Sequence, residues 1–414
     1  MKIAIFTDCY LDLTGGIVSS INADKAELER RGHLVYVFSS GYPRSKREKQ
    51  KLARQHIFPV KSCRVFGRGL TPIARRPGII EKELEREHPE IREFDVFYVH
   101  YEAGCSIAGL RMARKYGVKS IQVMHGREDM GEDRLIPLGL KTIVATLLNW
   151  FHSWYIPHPV KVRRDDYLAD TIAKAKMWTL MTNHANYADL VISPSEHFRA
   201  KLKHYGVTKP FEVLPHGLSD VLCSAPIKER QIGPDEPVRM IWHSRLSSEK
   251  RIMEFLEALK ILDKANFAFT LDVYGDGADA KKATKYAKRH HLPVNFHGNT
   301  PHEKVWQELL MADLDILASY NYDNYSMALV EAVVAGVPTF IADPDMEEIL
   351  PIGGYVMAKD PSPAGMAKAL AEIFKEPGSI KRMSFAVRSG REAKKISKKI
   401  DKFERLVMEE YRTQ

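Results

Sequence analysis

Two hydrophobic rhythms alternate along the chain. Short, nearly unbroken apolar runs suit strands buried on both faces. Stretches with apolar residues every three or four positions suit helices with one covered face. The first run, residues 3–6, leads to a helical pattern near 16–31, and 33–39 reads as a second strand. Residues 95–100 lead to a helix near 106–116. The runs at 120–125, 188–193 and 212–214 complete this series. The rhythm then breaks, because 219–237 is polar and turn-rich, with Pro226, Gly233, Pro234 and Pro237, and reads as a linker. A second series of strands follows at 239–244, 269–274, 295–296, 314–318 and 337–341. The last 25 or so residues read as a helix, with Ile396, Ile400, Phe403 and Val407 spaced by 4, 3 and 4.

Such β-α alternation predicts parallel sheets with helices on both faces. The expected fold class is α/β, built as two Rossmann-like, doubly wound domains. The first covers 1–217 with an insertion at 128–180, and the second covers 218–390. Residues 391–414 form a terminal helix expected to pack back on the first domain. Ligands of such sheets bind outside the carboxyl ends of the strands, so the tandem arrangement predicts a cleft between the domains. The length of 414 residues agrees with two domains.

The insertion departs from the rhythm. It holds Leu135–Leu140 and Ile143–Leu148, then Trp150, Phe151, Trp154 and Tyr155, then Lys161, Arg163 and Arg164. Lys141, Asn149 and His152 interrupt the apolar runs, so no membrane span of roughly 20 residues fits. Aromatic residues beside a basic run suit the headgroup boundary of a membrane. A core helix carrying two tryptophans is the plainer alternative; three of the five tryptophans falling between Trp150 and Trp178 tips the balance toward the membrane.

Charge points the same way. The net charge is +9, and the first 217 residues hold 34 Lys and Arg against 24 Asp and Glu, while the remainder holds 28 against 29. The excess in the first half predicts an anionic partner there, either a membrane surface or nucleic acid, unless the charge serves only solubility. The basic clusters at 44–51 and 75–76 lack the interleaved aromatics of a base-stacking platform, which argues against nucleic acid. No charged leader with an apolar core precedes the first strand, so no signal peptide is expected. Cys9, Cys63, Cys105 and Cys223 are scattered without metal-ligand spacing. They predict a reducing compartment without disulfides or a zinc site.

Candidate chemistry gathers at strand ends. Gly15-Gly16 opens the first helix, where glycine allows close approach of a ligand and a helix N-terminus favours an anion. Arg245-Leu246-Ser247-Ser248-Glu249-Lys250 follows the first strand of the second series. Two fixed cations there can stabilise a leaving pyrophosphate without a metal. Tyr325, Ser326 and Met327 precede a helix at 328–335, and a carboxylate such as Glu331 inside it can accept from a sugar diol, although by spacing alone Asp323 and Glu331 read as an ordinary pair of acids. Gly275 and Gly298 end two further strands. Each turn alone is ordinary; their recurrence at strand ends is not.

Together these residues resemble glycosyltransferase family 4, the retaining enzymes of GT-B fold. The family reads Gly-Arg-Leu-x-x-Glu-Lys where this chain has Ser244–Lys250, and Gly-x-Gly where it has Gly275-Asp276-Gly277. It reads Glu-x-Phe-Gly-Leu-x-x-x-Glu-Ala-Met-Ala-x-Gly-x-Pro where this chain runs from Asp323 to Pro338. The resemblance implies that Arg245 and Lys250 hold the donor diphosphate, that Glu331 binds the ribose, and that Asp323 sits beside the transferred sugar. It further implies that His125 contacts that sugar, that Gly16 faces phosphate or acceptor, and that the nucleobase lies near Gly298. Asp323 stands where the family has glutamate and Ser326 where it has glycine, which bears on the choice of sugar. Within the family the first half looks closest to enzymes that glycosylate diacylglycerol and related lipids. The expected activity is therefore hexosyl transfer from a nucleotide diphosphate sugar, UDP-glucose or UDP-galactose, to a membrane lipid.

No cofactor and no metal are expected. Asp343-Pro344-Asp345 is a literal Asp-x-Asp, but it reads as a loop away from the donor turns. The expected partners are the nucleotide sugar and an anionic lipid surface, with no nucleic acid. The expected location is the cytoplasmic face of the cell membrane, peripherally bound. Alternatives are a family 4 enzyme acting on a polysaccharide, teichoic acid or protein-linked glycan, a sugar-nucleotide epimerase or phosphorylase, and a non-catalytic nucleotide-sugar binder.

Overall fold

The computed structural model describes residues 1–9, 11, 15–41, 45–63, 73–74, 76–127, 138–227, 236–376 and 378–409. The chain divides into two compact units. The first is Met1–Pro215 with Lys399–Gln414, and the second is His216–Lys398.

The first unit is built on one sheet of β1 (Lys2–Thr7), β2 (Leu34–Gly41), β3 (Ile57–Cys63), β4 (Ile73–Ala74), β5 (Val96–His100), β6 (Lys119–Val123), β7 (Leu190–Ser193) and β8 (Phe211–Val213). Their order is β4-β3-β2-β1-β5-β6-β7-β8. Seven strands are parallel, and two-residue β4 pairs antiparallel with β3. The run Ile3–Phe6 is fully buried, as expected of a central strand covered by helices on both faces. The strand order reverses between β1 and β5, and the carboxyl ends of those strands carry Asp8 and His100.

Helix Ile396–Met408 belongs mostly to this unit. Its apolar stripe, Ile396, Ile400, Phe403 and Leu406, is buried. Phe403 packs on Tyr98 at 4.6 Å between ring centroids. Lys399 is also buried, with Nζ 2.6 Å from both carboxylate oxygens of Asp24 on helix Gly16–Arg30. Further along, Arg31 pairs with Asp401 and Glu404. Removing one partner of so buried a pair costs about 3–5 kcal/mol, so these ion pairs fix where the last helix docks.

The second unit holds β9 (Val238–His243), β10 (Phe269–Tyr274), β11 (Val294–Gly298), β12 (Leu314–Leu317), β13 (Thr339–Ile341) and β14 (Tyr355–Met357). All pair in parallel in the order β11-β10-β9-β12-β13-β14. The reversal here falls between β9 and β12. It sets the loop 244–250 beside the loop 318–326, which is where a doubly wound sheet binds its ligand.

All the strands expected from the sequence are present, with ends shifted by a few residues. β3, β4 and β14 were not anticipated, being interrupted by Pro59 and Lys61 or only two or three residues long. The expected linker contains no strand among the described residues, and its first part forms the short helix Asp220–Ser224. Residues 228–235 lie outside the described residues.

Candidate active site

In the second unit, β9 is followed by a turn that ends in the 3-10 segment Ser248–Lys250. Arg251 then takes a left-handed conformation, φ 61°, and starts helix Ile252–Lys264. This bend brings Lys250 back over the sheet, where it is buried. Its Nζ donates to both carboxylate oxygens of Asp323, at 2.6 and 2.8 Å. Ser319 Oγ donates to the same carboxylate at 2.5 Å, and the ring of Tyr322 lies 5.3 Å from Lys250 Nζ. Arg245 is largely exposed, with its guanidinium 3.3 Å from the Tyr322 hydroxyl. The two cations and Asp323 therefore gather around one loop, 319–323.

Gly275 and Gly277 pack against the Arg245 turn. A Cβ on Gly275 would lie 2.2 Å from the Ser244 carbonyl oxygen, and one on Gly277 would lie 2.2 Å from that of Leu246. Leu246 N donates to Asp276 O, Asp279 N donates to Leu246 O, and Gly275 N donates to Gly298 O. These glycines hold three strand-end loops in contact; only an absent side chain permits such an approach.

Glu331 lies one turn into helix Met327–Ala335. Its carboxylate accepts from His302 Nε2 at 2.9 Å, and its other oxygen is 3.4 Å from His243 Nδ1. His243 Nε2 in turn is 3.1 Å from Asp315. Burial opposes charge on His243, but Asp315 and Glu331 outweigh it and push the imidazole up to about 10. Burial likewise opposes charge on Glu331, and the two histidines outweigh it, holding the carboxyl at about 2. Glu331 is thus an ionised carboxylate aimed from below by a buried imidazolium. Sequence reasoning singled out Glu331 but not its neighbours His243, Asp315 and His302, nor Ser319 beside Asp323. A signal existed, since Asp315 is the lone polar residue of the otherwise apolar strand Leu314–Leu317, and His243 closes the strand Val238–His243 at its carboxyl end.

Tyr325 differs from the expectation for a donor residue. Its hydroxyl donates to His216 O at 3.4 Å and receives Lys394 Nζ at 3.3 Å, so its side chain is engaged in packing. Ser326 precedes helix Met327–Ala335 without capping it through its side chain, and Met327 packs against the neighbouring apolar cluster. Both stand at the N-terminus of that helix. Asp343 also departs from expectation. It does not stand apart from the donor turns. One oxygen caps Asp345 N at 3.1 Å and the other accepts from Asn321 N at 2.6 Å, because β12 and β13 are neighbours and their end loops meet.

In the first unit, Asp8 is buried and accepts from Cys105 N, Ser106 N, Ser106 Oγ and Ser40 Oγ. It ties the start of helix Gly104–Tyr116 to the ends of β1 and β2. His125 follows β6, with Nε2 2.8 Å from Nδ1 of buried His100. Burial, with help from Lys399, pushes His125 down to about 3, so it is neutral at physiological pH. Gly16 is exposed at the first residue of its helix.

The insertion contributes helix Lys141–Ser153, which packs on helix Ile172–Tyr187. Its inner face is Ala145, Asn149 and His152. Leu140, Ile143, Leu147, Leu148, Trp150 and Trp154 are exposed, between 44% and 56%. The exposed apolar face thus repeats at helical spacing, which a core helix does not do. Phe151 and Tyr155 are half-buried, and Tyr155 turns inward under the Arg111 guanidinium. Lys161, Arg163 and Arg164 are exposed beside this helix. Among the described residues, no helix is long and apolar enough to cross a membrane. Residues 128–137 of the insertion lie outside the described residues.

Comparison with known proteins gives a consistent result. Residues 14–220 match the model of Glycosyltransferase Family 4, and residues 225–401 match that of Glycosyl transferases group 1. The chain is similar to alpha-monoglucosyldiacylglycerol synthase of Streptococcus pneumoniae, 23% identical over 349 residues, covering 82% of this chain and 70% of that protein. It is also similar to alpha-monoglucosyldiacylglycerol synthase of Acholeplasma laidlawii, 24% identical over 372 residues, covering 84% and 81%. Among solved structures, Anabaena HepE in complex with UDP superimposes with a TM-score of 0.69 at 15% identity, covering 98% of this chain and 99% of that one. Sucrose-phosphate synthase from Thermosynechococcus elongatus gives 0.68 at 14%, covering 98% and 97%.

Proposed function

Because the chain belongs to glycosyltransferase family 4, with the two parallel α/β units of GT-B glycosyltransferases, we propose that it moves a hexose from a uridine diphosphate sugar to a diacylglycerol-type membrane lipid. The observation that carries the lipid acceptor is the exposed stripe Leu140, Ile143, Leu147, Trp150 and Trp154, flanked by Lys161, Arg163 and Arg164 in the more basic half of the chain. Two relatives named as glucosyldiacylglycerol synthases support it, and the UDP bound by HepE supports the nucleotide.

The mechanism follows from the residues at the switch point of the second unit. Arg245 and Lys250 neutralise the donor diphosphate, with the N-terminus of helix Met327–Ala335 adding its partial positive charge. Glu331, ionised and held by His243, accepts from the ribose diol and displaces His302, whose exposed ring is free to swing aside. Asp323 lies next to Lys250 and orients the hexose. The bond from the anomeric carbon to the phosphate oxygen breaks, and the acceptor oxygen bonds to that carbon on the same face. The acceptor hydroxyl proton passes to the leaving phosphate oxygen, so configuration is retained and no protein base is needed. The cations do the work of a divalent ion, so the reaction runs without one. The protein binds the membrane surface peripherally.

The test offers UDP-glucose and UDP-galactose with EDTA present, to diacylglycerol in anionic vesicles and to soluble sugars. The expected result is UDP release coupled to an α-linked glycolipid. Equal transfer to a soluble sugar would remove the lipid acceptor, and a strict requirement for added manganese or magnesium would remove the metal-free mechanism.

A further inference from the structure

Beside the apolar stripe lies a pocket of about 270 Å³, lined by Asn149, Lys161, Arg163, Arg164, Lys176 and Thr179 together with apolar side chains that include exposed Ile172. Its volume is at the small end for ligand sites and its polar lining is dominated by one sign of charge. Three segments line it, and two of them bring four cations: helix Lys141–Ser153 supplies the Asn149 wall, the stretch 161–164 supplies Lys161, Arg163 and Arg164, and helix Ile172–Tyr187 supplies Lys176.

Among the described residues Lys161, Arg163 and Lys176 form no ion pair, and Arg164 donates only to the Asp170 carbonyl oxygen, at 3.1 Å. Two acids of the same stretch are engaged elsewhere. Asp170 pairs with Lys174, and Asp165 accepts from Tyr167 N, Ala169 N and the Tyr205 hydroxyl.

The walls are fixed. Asn149 is 8% exposed, its Nδ2 donates to Lys176 O at 2.6 Å, and its Oδ1 faces His158 Nδ1 at 3.1 Å. From His158 a chain of buried imidazoles runs through His152, at 2.6 Å, and His184, at 3.0 Å, to Gln122 on β6, at 3.1 Å. Thr179 Oγ1 receives Val162 N at 3.0 Å and so anchors the basic stretch. This is a rigid cationic recess sharing a helix with an apolar face, and a helix is only about 10–12 Å across.

We infer that this recess seats the phosphate of one anionic phospholipid headgroup while the Trp150–Trp154 face enters the acyl boundary. The inference rests on the lipid-surface reading above and sharpens it, because diffuse attraction to a charged membrane needs no pocket. A discrete site counts charges by position, whereas a diffuse field counts only their sum. A free phosphate shares the chemistry, but the adjoining apolar stripe commits the site to a lipid.

The experiment compares two charge-matched variants by co-sedimentation with phosphatidylcholine vesicles containing rising phosphatidylglycerol. Arg163→Gln with Lys176→Gln empties the recess. Lys46→Gln with Lys49→Gln removes the same charge from the exposed helix Lys46–Arg54 of the same unit. Thermal unfolding of both checks that they fold. The recess variant is expected to lose at least about tenfold in vesicle affinity, and the control roughly threefold or less. Equal losses in both would overturn the site and leave the membrane reading standing. Wild-type protein that ignores vesicles of every composition would remove both. Inorganic phosphate is expected to compete with vesicles only weakly; full competition at millimolar concentration would make the recess a site for the free ion.

Discussion

The pairing of Lys250 with Asp323 changes what a charge deletion at the proposed donor site should do. Both side chains are about a tenth exposed, and the ammonium touches both carboxylate oxygens. Lys250→Ala strands a carboxylate that keeps only the Ser319 hydroxyl. Removing one member of a buried pair costs about 3–5 kcal/mol, and partial exposure puts this site at the lower end, about 3 kcal/mol. For a domain of this size that lowers Tm by roughly 6–12 °C. The same substitution removes a charge-assisted contact to the diphosphate, about 1.5–3 kcal/mol, or roughly 10- to 150-fold in Kd for UDP. Asp323→Ala should destabilise by a similar amount but should not weaken UDP, because it releases Lys250 toward the phosphates. The double variant should be less destabilised than the sum of the two, since the stranded charge is then gone. Calorimetric titration of UDP and thermal melts of the three variants supply all six numbers. If Asp323→Ala weakened UDP as much as Lys250→Ala, or if the melts were additive, the assignment of Lys250 to the phosphates and of the pair to the fold would both fail.

Other consequences follow from the same unit. Gly275→Ala places a Cβ 2.2 Å from the Ser244 carbonyl at a backbone φ of 142°, so it should cost roughly 1–3 kcal/mol and weaken UDP binding together with stability; a melt unchanged within about 1 °C would contradict the loop packing. His243, raised to about 10 from 6.5, contributes stability that is complete below pH 6.5 and is lost as pH climbs toward 10. Tm should therefore fall over that window, and in His243→Val/Asp315→Val the slope should flatten. Glu331, lowered to about 2 from 4.5, contributes stability above pH 4.5 that is lost as pH falls toward 2. Glu331→Gln should weaken UDP at neutral pH by at least about tenfold, and an unaltered Kd with a much lower Tm would make the residue structural. In the first unit, Trp150→Ser with Trp154→Ser should reduce vesicle binding without lowering Tm, because both indoles are more than half exposed; a large drop in Tm would mean that the face is part of a core.

The sequence by itself determined the class of this protein. Runs such as Ile3–Phe6 and Leu314–Leu317 are short, apolar and separated by helical periodicity, and that local pattern leaves little choice but two parallel sheets. The resemblance to family 4 singled out Arg245, Lys250, Asp323 and Glu331, and each of them lies in the loop or helix that follows a strand of the second sheet. What only the tertiary structure decided was which charges meet. Lys250 and Asp323 are 73 residues apart, and His243, Asp315 and Glu331 come from β9, β12 and the helix after it, so no window of sequence contains their contacts. The same holds for the insertion. Its apolar and aromatic residues could have been either core or surface, since hydrophobicity alone does not say which face is covered. Only the packing of Ala145, Asn149 and His152 against helix Ile172–Tyr187 leaves Leu140, Ile143, Leu147, Trp150 and Trp154 facing outward and turns Tyr155 in. Periodicity is a property of neighbours along the chain, whereas burial and ion pairing depend on neighbours in space, and those are fixed only once the sheets have closed.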